Sequence, residues 1–463
     1  MALHLIGCAI LEPVIIVSSL FHHQIIIISS GARPMRKQVL TSTAALIAVL
    51  AISACREMPV EPPPPPPPPP PTPFQPGPLG AVTVEPGEAV QIRTLLSITV
   101  APTLGAVARR GAEFAVEDMG TVNGRQIELG NPVDTSCSPA GGRAGALGIT
   151  GDPRVAGIVG TNCSAAAVAA SPVVSEAGLV MISPSNTSPR LTSDLAGNAS
   201  SDYHPGYFRT ASNDLHQARA LSDFVYNELG LRSVATVHDG DPYTTALVEA
   251  FADAFAALGG EVPAQAGIAK GQTDMTEVLV EFAVAGPDAI FFPLFVTEGT
   301  AFAAQASAFD GLEGTTLISA AALLVSAFLE TPQSEGMYFA GPEADFGSNT
   351  NAVTGRSAQQ VLQAFDNRYG GAPGSPYWAH SYDATTILLS AIASVAVEVG
   401  DTMYIDRAGL RNAIGATNIS GLVGRVSCDA FGDCGTGRMN IYHHPDTGVT
   451  DIAMLPVVYV YSP

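Results

Sequence analysis

Short apolar segments alternate with alanine-rich helical segments through the chain from residue 90 onwards. The alternation continues through the second half of the chain. The pattern predicts strands at 92–99, 127–134 and 155–159 and helices at 105–119, 165–177 and 244–258. Strands that alternate with helices of this length are typical of parallel sheets with right-handed crossovers. Because residues 90–463 are too many for one such sheet, we predict an α/β protein of two Rossmann-like lobes.

The charge of the chain argues against nucleic-acid binding. Asp and Glu number 42 against 21 Lys and Arg, which gives a formal net charge of −21. Phosphate backbones are bound by clustered Lys and Arg, which this composition does not supply. The sequence also lacks the motifs of nucleotide-binding loops, of the α/β-hydrolase nucleophile and of zinc proteases. We therefore predict that the protein is not an enzyme and has no catalytic residue, no cofactor and no metal site.

The segment 35–54 has the layout of a secretory signal: it begins Met-Arg-Lys, continues with an uncharged apolar stretch and ends in small residues. Cys55 directly follows Ile-Ser-Ala, which resembles the lipobox of bacterial lipoproteins and implies cleavage before Cys55 and its lipidation. A short membrane anchor that is not cleaved is the alternative. We interpret residues 1–34 as an over-long gene prediction that precedes the start at Met35. We expect an extracytoplasmic protein, lipid-anchored to a bacterial membrane and facing the periplasm or the cell surface.

Ten consecutive prolines at 62–71 follow this cysteine. Polyproline II is semi-rigid and rises about 3.1 Å per residue, so the ten prolines span roughly 30 Å. We predict that residues 55–89 form a lipid-anchored, proline-rich tether and that the folded body occupies residues 90–463. A proline-rich docking site for a partner protein is the alternative interpretation of the run.

Four cysteines lie in the predicted body, namely Cys137, Cys163, Cys428 and Cys434. An even number of cysteines in an exported chain indicates two disulfides. Three pairings exist, and the short spacing of the last two cysteines favours Cys428–Cys434, which leaves Cys137–Cys163. Zinc binding by all four is the alternative, and the lack of a C-x-x-C pair argues against it.

Several motifs follow one another in a characteristic order along the body. They are Asp-Thr-Ser-Cys at 134–137, Gly-Thr-Asn-Cys-Ser at 160–164, Met-Ile-Ser-Pro-Ser-Asn-Thr-Ser-Pro at 181–189, Phe-Arg-Thr at 208–210 and Tyr-Asp-Ala at 382–384. With these motifs the body resembles the leucine/isoleucine/valine-binding proteins, the type I periplasmic binding proteins of ABC importers. The resemblance covers residues 90–463.

The resemblance implies two lobes joined by a three-crossover hinge, with the ligand in the cleft between them. It places the first lobe at 90–213 and 342–418 and the second lobe at 214–341 and 419–463. It implies ABC permease subunits as partners and a small carboxylated solute as ligand, above all a branched-chain or other amino acid. A ligand-sensing module without transport is the alternative, because a fold does not determine its output.

Six residues are the predicted ligand contacts, namely Ser164, Ser185, Thr187, Tyr243, Phe295 and Tyr377. The resemblance implies that Ser164 and Thr187 hold the α-carboxylate of the ligand, that Ser185 contributes backbone groups, and that the rings form the far wall. The chemistry agrees for Ser164, which precedes the predicted helix at an N-cap position where free N–H groups and the helix dipole attract a carboxylate. Each residue also has a plain structural interpretation as a helix cap, a turn or a core ring.

One position departs from the family pattern. Ala321 aligns with the acidic residue that, in the family, pairs with the α-ammonium group of the ligand. A buried ammonium group without an anionic partner is unfavourable by on the order of several kcal/mol. We expect either that Asp241, Glu298 or Asp345 replaces this acid, or that the ligand is not an α-amino acid.

Replacing Cys55 tests the lipoprotein prediction. Cys55→Ser removes the thiol that would carry the lipid, so the variant should leave the membrane fraction or accumulate as an unprocessed precursor in its native host. Cell fractionation and immunoblotting compare the variant with the wild type. Identical fractionation and processing of the two proteins would contradict the prediction.

Overall fold

The computed structural model describes residues 73–463. The predicted signal at 35–54, the lipidation site Cys55 and the proline run at 62–71 lie outside the described residues and stay predictions. Within residues 73–463, no helix is long and apolar enough to cross a membrane.

The described part of the chain forms nineteen strands and eleven α-helices. The strands are β1 (Ala81–Val84), β2 (Val90–Leu96), β3 (Thr121–Val122), β4 (Arg125–Glu128), β5 (Val133–Asp134), β6 (Val155–Gly160), β7 (Met181–Ser183), β8 (Tyr207–Arg209), β9 (Val234–His238), β10 (Gln265–Gly267), β11 (Ala289–Phe291), β12 (Thr316–Ala320), β13 (Tyr338–Gly341), β14 (Ala396–Val399), β15 (Thr402–Asp406), β16 (Asn418–Gly421), β17 (Gly424–Ser427), β18 (Met439–His443) and β19 (Val457–Tyr461). The helices are α1 (Pro102–Met119), α2 (Pro139–Thr150), α3 (Ser164–Glu176), α4 (Asp214–Asp223), α5 (Pro242–Ala257), α6 (Thr276–Ala285), α7 (Val296–Ala306), α8 (Ser326–Leu329), α9 (Ala358–Tyr369), α10 (Tyr377–Val395) and α11 (Arg407–Gly415).

The first large sheet has the strand order β3-β4-β2-β6-β7-β8, and β5 pairs with the end of β2. Its pairs are parallel except for β3 with β4. Successive residues of a strand point to opposite faces, so each face has its own core. In β6, Ile158 packs with residues of α2 and α3, whereas Val159 packs with residues of α1 and α10. Helices therefore cover both faces of this sheet.

The second large sheet has the order β10-β9-β11-β12-β13-β18-β19. Its first five strands are parallel, and β18 and β19 are added antiparallel at one edge. In β11, Ile290 packs with residues of α6 and α7, whereas Phe291 packs with residues of α4 and α5. This sheet is likewise covered on both faces.

The chain passes between the two sheets three times: after β8, after β13 and between β17 and β18. We call β2–β8 with α1–α3 and α9–α11 the first lobe, and β9–β13, β18 and β19 with α4–α8 the second lobe. The predicted fold class is confirmed, since two Rossmann-like lobes are joined by three crossovers. The antiparallel strands at the sheet edges are an addition to the predicted parallel sheets.

The third crossing lies later than the predicted boundary between residues 418 and 419. The hairpin of β16 and β17 packs with the first lobe, because the buried Asp383 carboxylate of α10 accepts hydrogen bonds from the N–H groups of Leu422 (2.9 Å) and Val423 (3.0 Å). Both residues, and Cys434 after them, belong to the core that contains α1 and α10. The partners Asp383 and Leu422 are 39 residues apart, so the local pattern does not indicate this contact.

The folded body begins earlier than the predicted end of the tether at residue 89. β1 pairs antiparallel with β15, and β14 completes a three-stranded sheet. Before β1, the ring of Phe74 stacks on Tyr404 with centroids 4.7 Å apart, and the N–H of Gly77 donates to Asp406 at 2.7 Å. The strand β1 is only four residues long, and its partner strand β15 lies near the other end of the chain. The local sequence pattern therefore does not distinguish β1 from the end of the predicted tether.

Two helices begin before their predicted starts, α1 at Pro102 and α5 at Pro242. Proline is favourable in a first turn because the N–H that it lacks has no helical acceptor there. Asp241 caps α5 by accepting a hydrogen bond from the N–H of Tyr243 at 2.9 Å. The strand that the pattern predicts at 127–134 is divided into β4 and β5, because Gly130 between them has a φ of 62°.

Candidate functional site

A cavity lies between the two lobes. It is at the carboxyl ends of the parallel strands, where open α/β sheets bind ligands. All six predicted contacts line it, namely Ser164, Ser185, Thr187, Tyr243, Phe295 and Tyr377. The rest of the wall is Leu104, Asn162, Cys163, Ala321 and Ala322. The six residues therefore come together in one cavity, and their binding of a ligand stays a prediction.

The first-lobe wall of the cavity contains the N-terminus of α3. Ser164 is the first residue of this helix and Cys163 is its N-cap, so the prediction of Ser164 as the N-cap is wrong by one residue. Both residues are buried, and the side chain of Cys163 makes no capping hydrogen bond. N–H groups in the first turn of a helix have no helical acceptor. This wall therefore offers N–H donors and a hydroxyl group to an anion.

The two predicted disulfides, Cys137–Cys163 and Cys428–Cys434, are both formed. The first ties the start of α3 to the loop between β5 and α2. Phe295 of the second lobe packs against it, so the two lobes are in contact at the edge of the cavity. The second disulfide closes a loop beside β8, far along the chain from the first.

Residues 185–188 follow β7 and form the neighbouring part of the wall, and we call them the binding loop. The hydroxyl oxygen of Ser183 accepts hydrogen bonds from the N–H groups of Ser185 (3.2 Å) and Asn186 (2.9 Å). Thr187 is buried, and the hydroxyl oxygen of Ser185 is enclosed without a hydrogen-bond partner. An enclosed polar atom without a partner is unfavourable, and a bound ligand that supplies the partner removes this penalty.

The second-lobe wall is mainly apolar. The ring centroids of Tyr243, at the start of α5, and Phe295, just before α7, are 5.7 Å apart. Ala321 and Ala322 follow β12 and contribute only small side chains. The hydroxyl group of Tyr243 is buried without a hydrogen-bond partner, and burial raises its pKa well above the usual range. The wall thus combines an aromatic surface with one enclosed polar group.

Asp214, the first residue of α4, is a buried acid beside this cavity that the sequence analysis missed. Its N–H donates to the carbonyl of Thr187 at 2.9 Å, and neither of its carboxylate oxygens has a hydrogen-bond partner. Burial raises the pKa of Asp214 to about 7, although the Thr187 side chain and the Arg209 charge act in the opposite direction. The charge of Asp214 in turn raises the pKa of both Tyr243 and Tyr377.

The sequence signal for Asp214 is weak because Asn213-Asp214 has the pattern of an ordinary helix start. Asn213 is the N-cap of α4, and its side chain accepts a hydrogen bond from the N–H of Leu215 at 3.0 Å. An acid in the first turn of a helix normally interacts with the helix dipole at the protein surface. The Asp214 carboxylate is buried instead, because α4 packs against the binding loop.

The three acids that were predicted to replace the missing family acid have other roles. Asp241 caps α5 and also pairs with Lys270, whose Nζ lies 2.9 Å from its carboxylate. Glu298 accepts a hydrogen bond from the N–H of Gly271, and Asp345 is exposed. None of these three acids lines the cavity. Asp214 does not line it either, but its N–H bonds the carbonyl of Thr187, which does.

The cavity and its surroundings therefore offer two complementary groups. The donors at the start of α3 suit an anion, and the carboxylate of Asp214, which adjoins the cavity wall at Thr187, suits a cation. Within residues 73–463, no group of three His, Cys, Asp or Glu side chains is placed to hold a metal ion.

Two lobes with a cavity between them are the architecture of solute-binding proteins that close on a ligand. A family model described as periplasmic binding protein matches residues 98–443, more than half of the chain. The chain belongs to this family, in the group of the leucine/isoleucine/valine-binding type I proteins, which bind solutes and are not enzymes.

Relatives and solved structures agree with this assignment. An amino acid binding protein of Pseudomonas aeruginosa is 25% identical over 342 residues, which cover 73% of this chain and 85% of the relative. A leucine-, isoleucine-, valine-, threonine- and alanine-binding protein of the same species is 23% identical over an alignment that covers 75% of this chain and 88% of the relative. The structure of a leucine binding protein from Thermotoga maritima matches with a TM-score of 0.68 at 23% identity. The match covers 81% of this chain and 99% of that protein.

Asp214→Asn should stabilise the ligand-free protein at high pH. The folded pKa of about 7 lies above the unfolded value of about 3.9, so the acid stabilises the fold only while protonated, and this contribution is lost as the pH rises through 7. The variant should gain about 2–4 kcal/mol in free energy of unfolding at pH 8 and almost nothing at pH 4. Urea unfolding at both pH values measures it.

The exposed Asp366 of α9 provides the matched control for this prediction. Asp366→Asn makes the same chemical change at the surface and should leave the free energy of unfolding nearly unchanged at both pH values. An Asp214→Asn variant that is less stable than the wild type at pH 8 would contradict the assignment of Asp214 as an unpaired buried acid.

Proposed function

We propose that this protein captures a small, neutral α-amino acid outside the cytoplasm and delivers it to an ABC importer. The observation that carries the proposal is the pairing, around one buried cavity, of a helix N-terminus with an acid that has no partner. An α-amino acid has a carboxylate and an ammonium group a few bonds apart, and it is complementary to both.

The carboxylate of the ligand is held at the first-lobe wall. Ser164 and Thr187 offer hydroxyl groups, and the first turn of α3 offers N–H groups without helical acceptors. Charge-assisted hydrogen bonds of this kind are each worth about 1.5–3 kcal/mol. No Arg or Lys lines the cavity, which favours a single carboxylate over a dianion.

The ammonium group of the ligand pairs with Asp214. A buried ammonium group needs an anionic partner, and Ala321 supplies none at the position where the family has an acid. Asp214 is buried, has two free acceptor oxygens and adjoins Thr187, which holds the other end of the ligand. The proposal therefore keeps the amino-acid ligand and assigns its ammonium partner to a different element, the start of α4.

The side chain of the ligand faces Leu104, Phe295, Ala321 and Ala322. These residues are apolar, which favours an aliphatic or small aromatic side chain. The two Pseudomonas aeruginosa relatives are named as amino acid binding proteins, one of them for leucine, isoleucine, valine, threonine and alanine. Both names support an amino acid as the ligand.

A carboxylate without an amino group is the second candidate ligand. A solute binding protein of R. palustris that shares the fold, with a TM-score of 0.67 at 20% identity, was solved in complex with benzoate. Benzoate lacks a cation, so it would leave Asp214 without a partner. The pH dependence described below separates the two ligand classes.

The proposal includes the partners and the location. We propose that lipid at Cys55 and the proline run hold the protein at the membrane, where ABC permease subunits receive the ligand. Genes for a permease and an ATPase beside this one would support transport. A receptor gene in their place would favour the sensing alternative.

Removing the hydroxyl groups of the first-lobe wall tests the carboxylate end. Ser164→Ala and Thr187→Ala should each weaken the binding of L-leucine about 10- to 100-fold, because each removes one charge-assisted hydrogen bond. Isothermal titration calorimetry on ligand-stripped protein measures the affinity, and circular dichroism checks the fold. Ser348→Ala, on an exposed loop, is the matched control and should bind as the wild type does. Two folded variants with unchanged affinity would contradict the placement of the ligand.

The pH dependence of binding tests the ammonium end. Binding of an ammonium group requires ionised Asp214, whose pKa burial raises to about 7, so the affinity for L-leucine should fall up to about tenfold per pH unit below pH 7. The groups around Asp214 are Arg209, Asp433, Tyr243 and Tyr377.

Two controls identify the source of this pH dependence. Asp214→Asn should abolish it and lower the affinity at pH 8. 4-Methylpentanoate, which is leucine without its amino group, should bind no more weakly at pH 5 than at pH 8. An affinity for L-leucine that is constant from pH 5 to 8 would exclude Asp214 as the ammonium partner.

A further inference from the structure

Arg209 is a fully buried cation that the proposed binding chemistry does not use. It ends β8, and its guanidinium group lies behind the binding loop. Its Nη1 donates to the carbonyl of Asn186 (3.3 Å) and to the carbonyl of Ser188 (2.8 Å), and its Nη2 donates to the hydroxyl oxygen of Thr192 (2.6 Å). The two carbonyl groups flank Thr187 on either side. Arg209 therefore holds the backbone on both sides of Thr187 and, through it, the position of the Thr187 side chain.

The charge of Arg209 is balanced by Asp433, which lies inside the loop closed by the Cys428–Cys434 disulfide. Nε of Arg209 donates to one carboxylate oxygen of Asp433. The same loop also runs beside β8 as an extra strand, because the N–H of Arg209 donates to Gly432 (2.9 Å) and the N–H of Cys434 donates to the carbonyl of Arg209 (3.0 Å). Asp433 is thus fixed by backbone contacts on both sides.

The second carboxylate oxygen of Asp433 reaches the other end of the proposed site. It accepts a hydrogen bond from the side-chain amide of Asn213 at 3.1 Å. The carbonyl oxygen of the same Asn213 side chain caps α4 through the N–H of Leu215. The helix start that carries Asp214 is therefore held by the same carboxylate that holds Arg209.

We propose that Asp433 is a positioning residue that fixes the distance between Thr187 and Asp214, and that the Cys428–Cys434 loop is the clamp that holds it. This inference rests on the proposed function for what Thr187 and Asp214 bind. The clamp itself is a property of the ligand-free protein. One carboxylate joins two elements that contact opposite ends of the ligand, through Arg209 on one side and Asn213 on the other.

The geometry of the guanidinium group makes this arrangement specific. Its N–H donors lie in one plane and at fixed angles, so three groups of acceptors set its orientation completely. A buried guanidinium group also needs its anion, because the charge is strongly unfavourable without one. Loss of the Asp433 charge should therefore loosen the binding loop and the start of α4 more than it loosens distant parts of the protein.

Hydrogen exchange of the ligand-free protein tests the clamp without any ligand. In Asp433→Asn, peptides that cover residues 183–192 and 209–217 should exchange at least about tenfold faster than in the wild type, since they lose the contact that holds them. Peptides from β9 in the second lobe should keep their wild-type rates. Unchanged exchange at 183–192, or equal acceleration in all peptides, would overturn the proposal.

Asp118→Asn is the matched control. Asp118 also pairs with an arginine of the first lobe, Arg356, at 3.0 Å, but it lies away from the binding loop. This variant should leave exchange at 183–192 and 209–217 unchanged. If Asp433→Asn does not fold, the double variant Cys428→Ser/Cys434→Ser is judged by the same two peptides, because it opens the clamp and retains the Asp433–Arg209 charges.

A double-mutant cycle with L-leucine then relates the clamp to binding. If Asp433 acts by positioning Thr187, Asp433→Asn should weaken binding about tenfold or more in the wild type and clearly less in the Thr187→Ala background. Equal losses in the wild type and in both the Thr187→Ala and the Asp214→Asn backgrounds would overturn the positioning role. A wild-type protein that does not bind L-leucine would count against the proposed function and would leave the exchange result to decide on the clamp.

Discussion

A carboxylate that is buried without a hydrogen-bond partner is unfavourable unless a proton or a cation accompanies it. Asp214 is such a group, and it adjoins the one cavity that the six predicted contact residues share. The start of α3, which lines the cavity, presents the complementary partial charge. The proposed zwitterionic ligand would supply a partner to both groups, and the destabilisation at Asp214 would then become binding free energy.

The proposed contacts also connect the two lobes. Thr187 and Ser164 belong to the first lobe, whereas Asp214 begins the first helix of the second, so the proposed ligand would bridge them. Direct contacts already cross the cleft beside the cavity: Ser188 donates to the carbonyl of Pro242 at 2.9 Å, and Nζ of Lys270 lies 3.3 Å from the carbonyl of Cys137. A ligand that bridges the lobes stabilises the closed arrangement in which these contacts form.

The pattern of the sequence was sufficient to predict the alternation of strands and helices, because apolar runs that face two helical layers are continuous and easy to identify. The resemblance to a known family was also sufficient to predict six residues that line the cavity. Features that depend on distant partners were not predictable in this way. Three such features are the pairing of β1 with β15, the hydrogen bond from Leu422 to Asp383 and the burial of Asp214. In each of them, the local sequence of one segment does not indicate its partner. Asp214 also has the local pattern of an ordinary helix start.

The most direct test is a crystal structure of the protein with the amino acid that stabilises it most in a thermal-shift screen. The account predicts the amino nitrogen of the ligand within about 3 Å of a carboxylate oxygen of Asp214, and the carboxylate of the ligand at the N–H groups of α3. A ligand that occupies the cavity and leaves Asp214 unpaired, or that directs its carboxylate towards Asp214, would contradict the account.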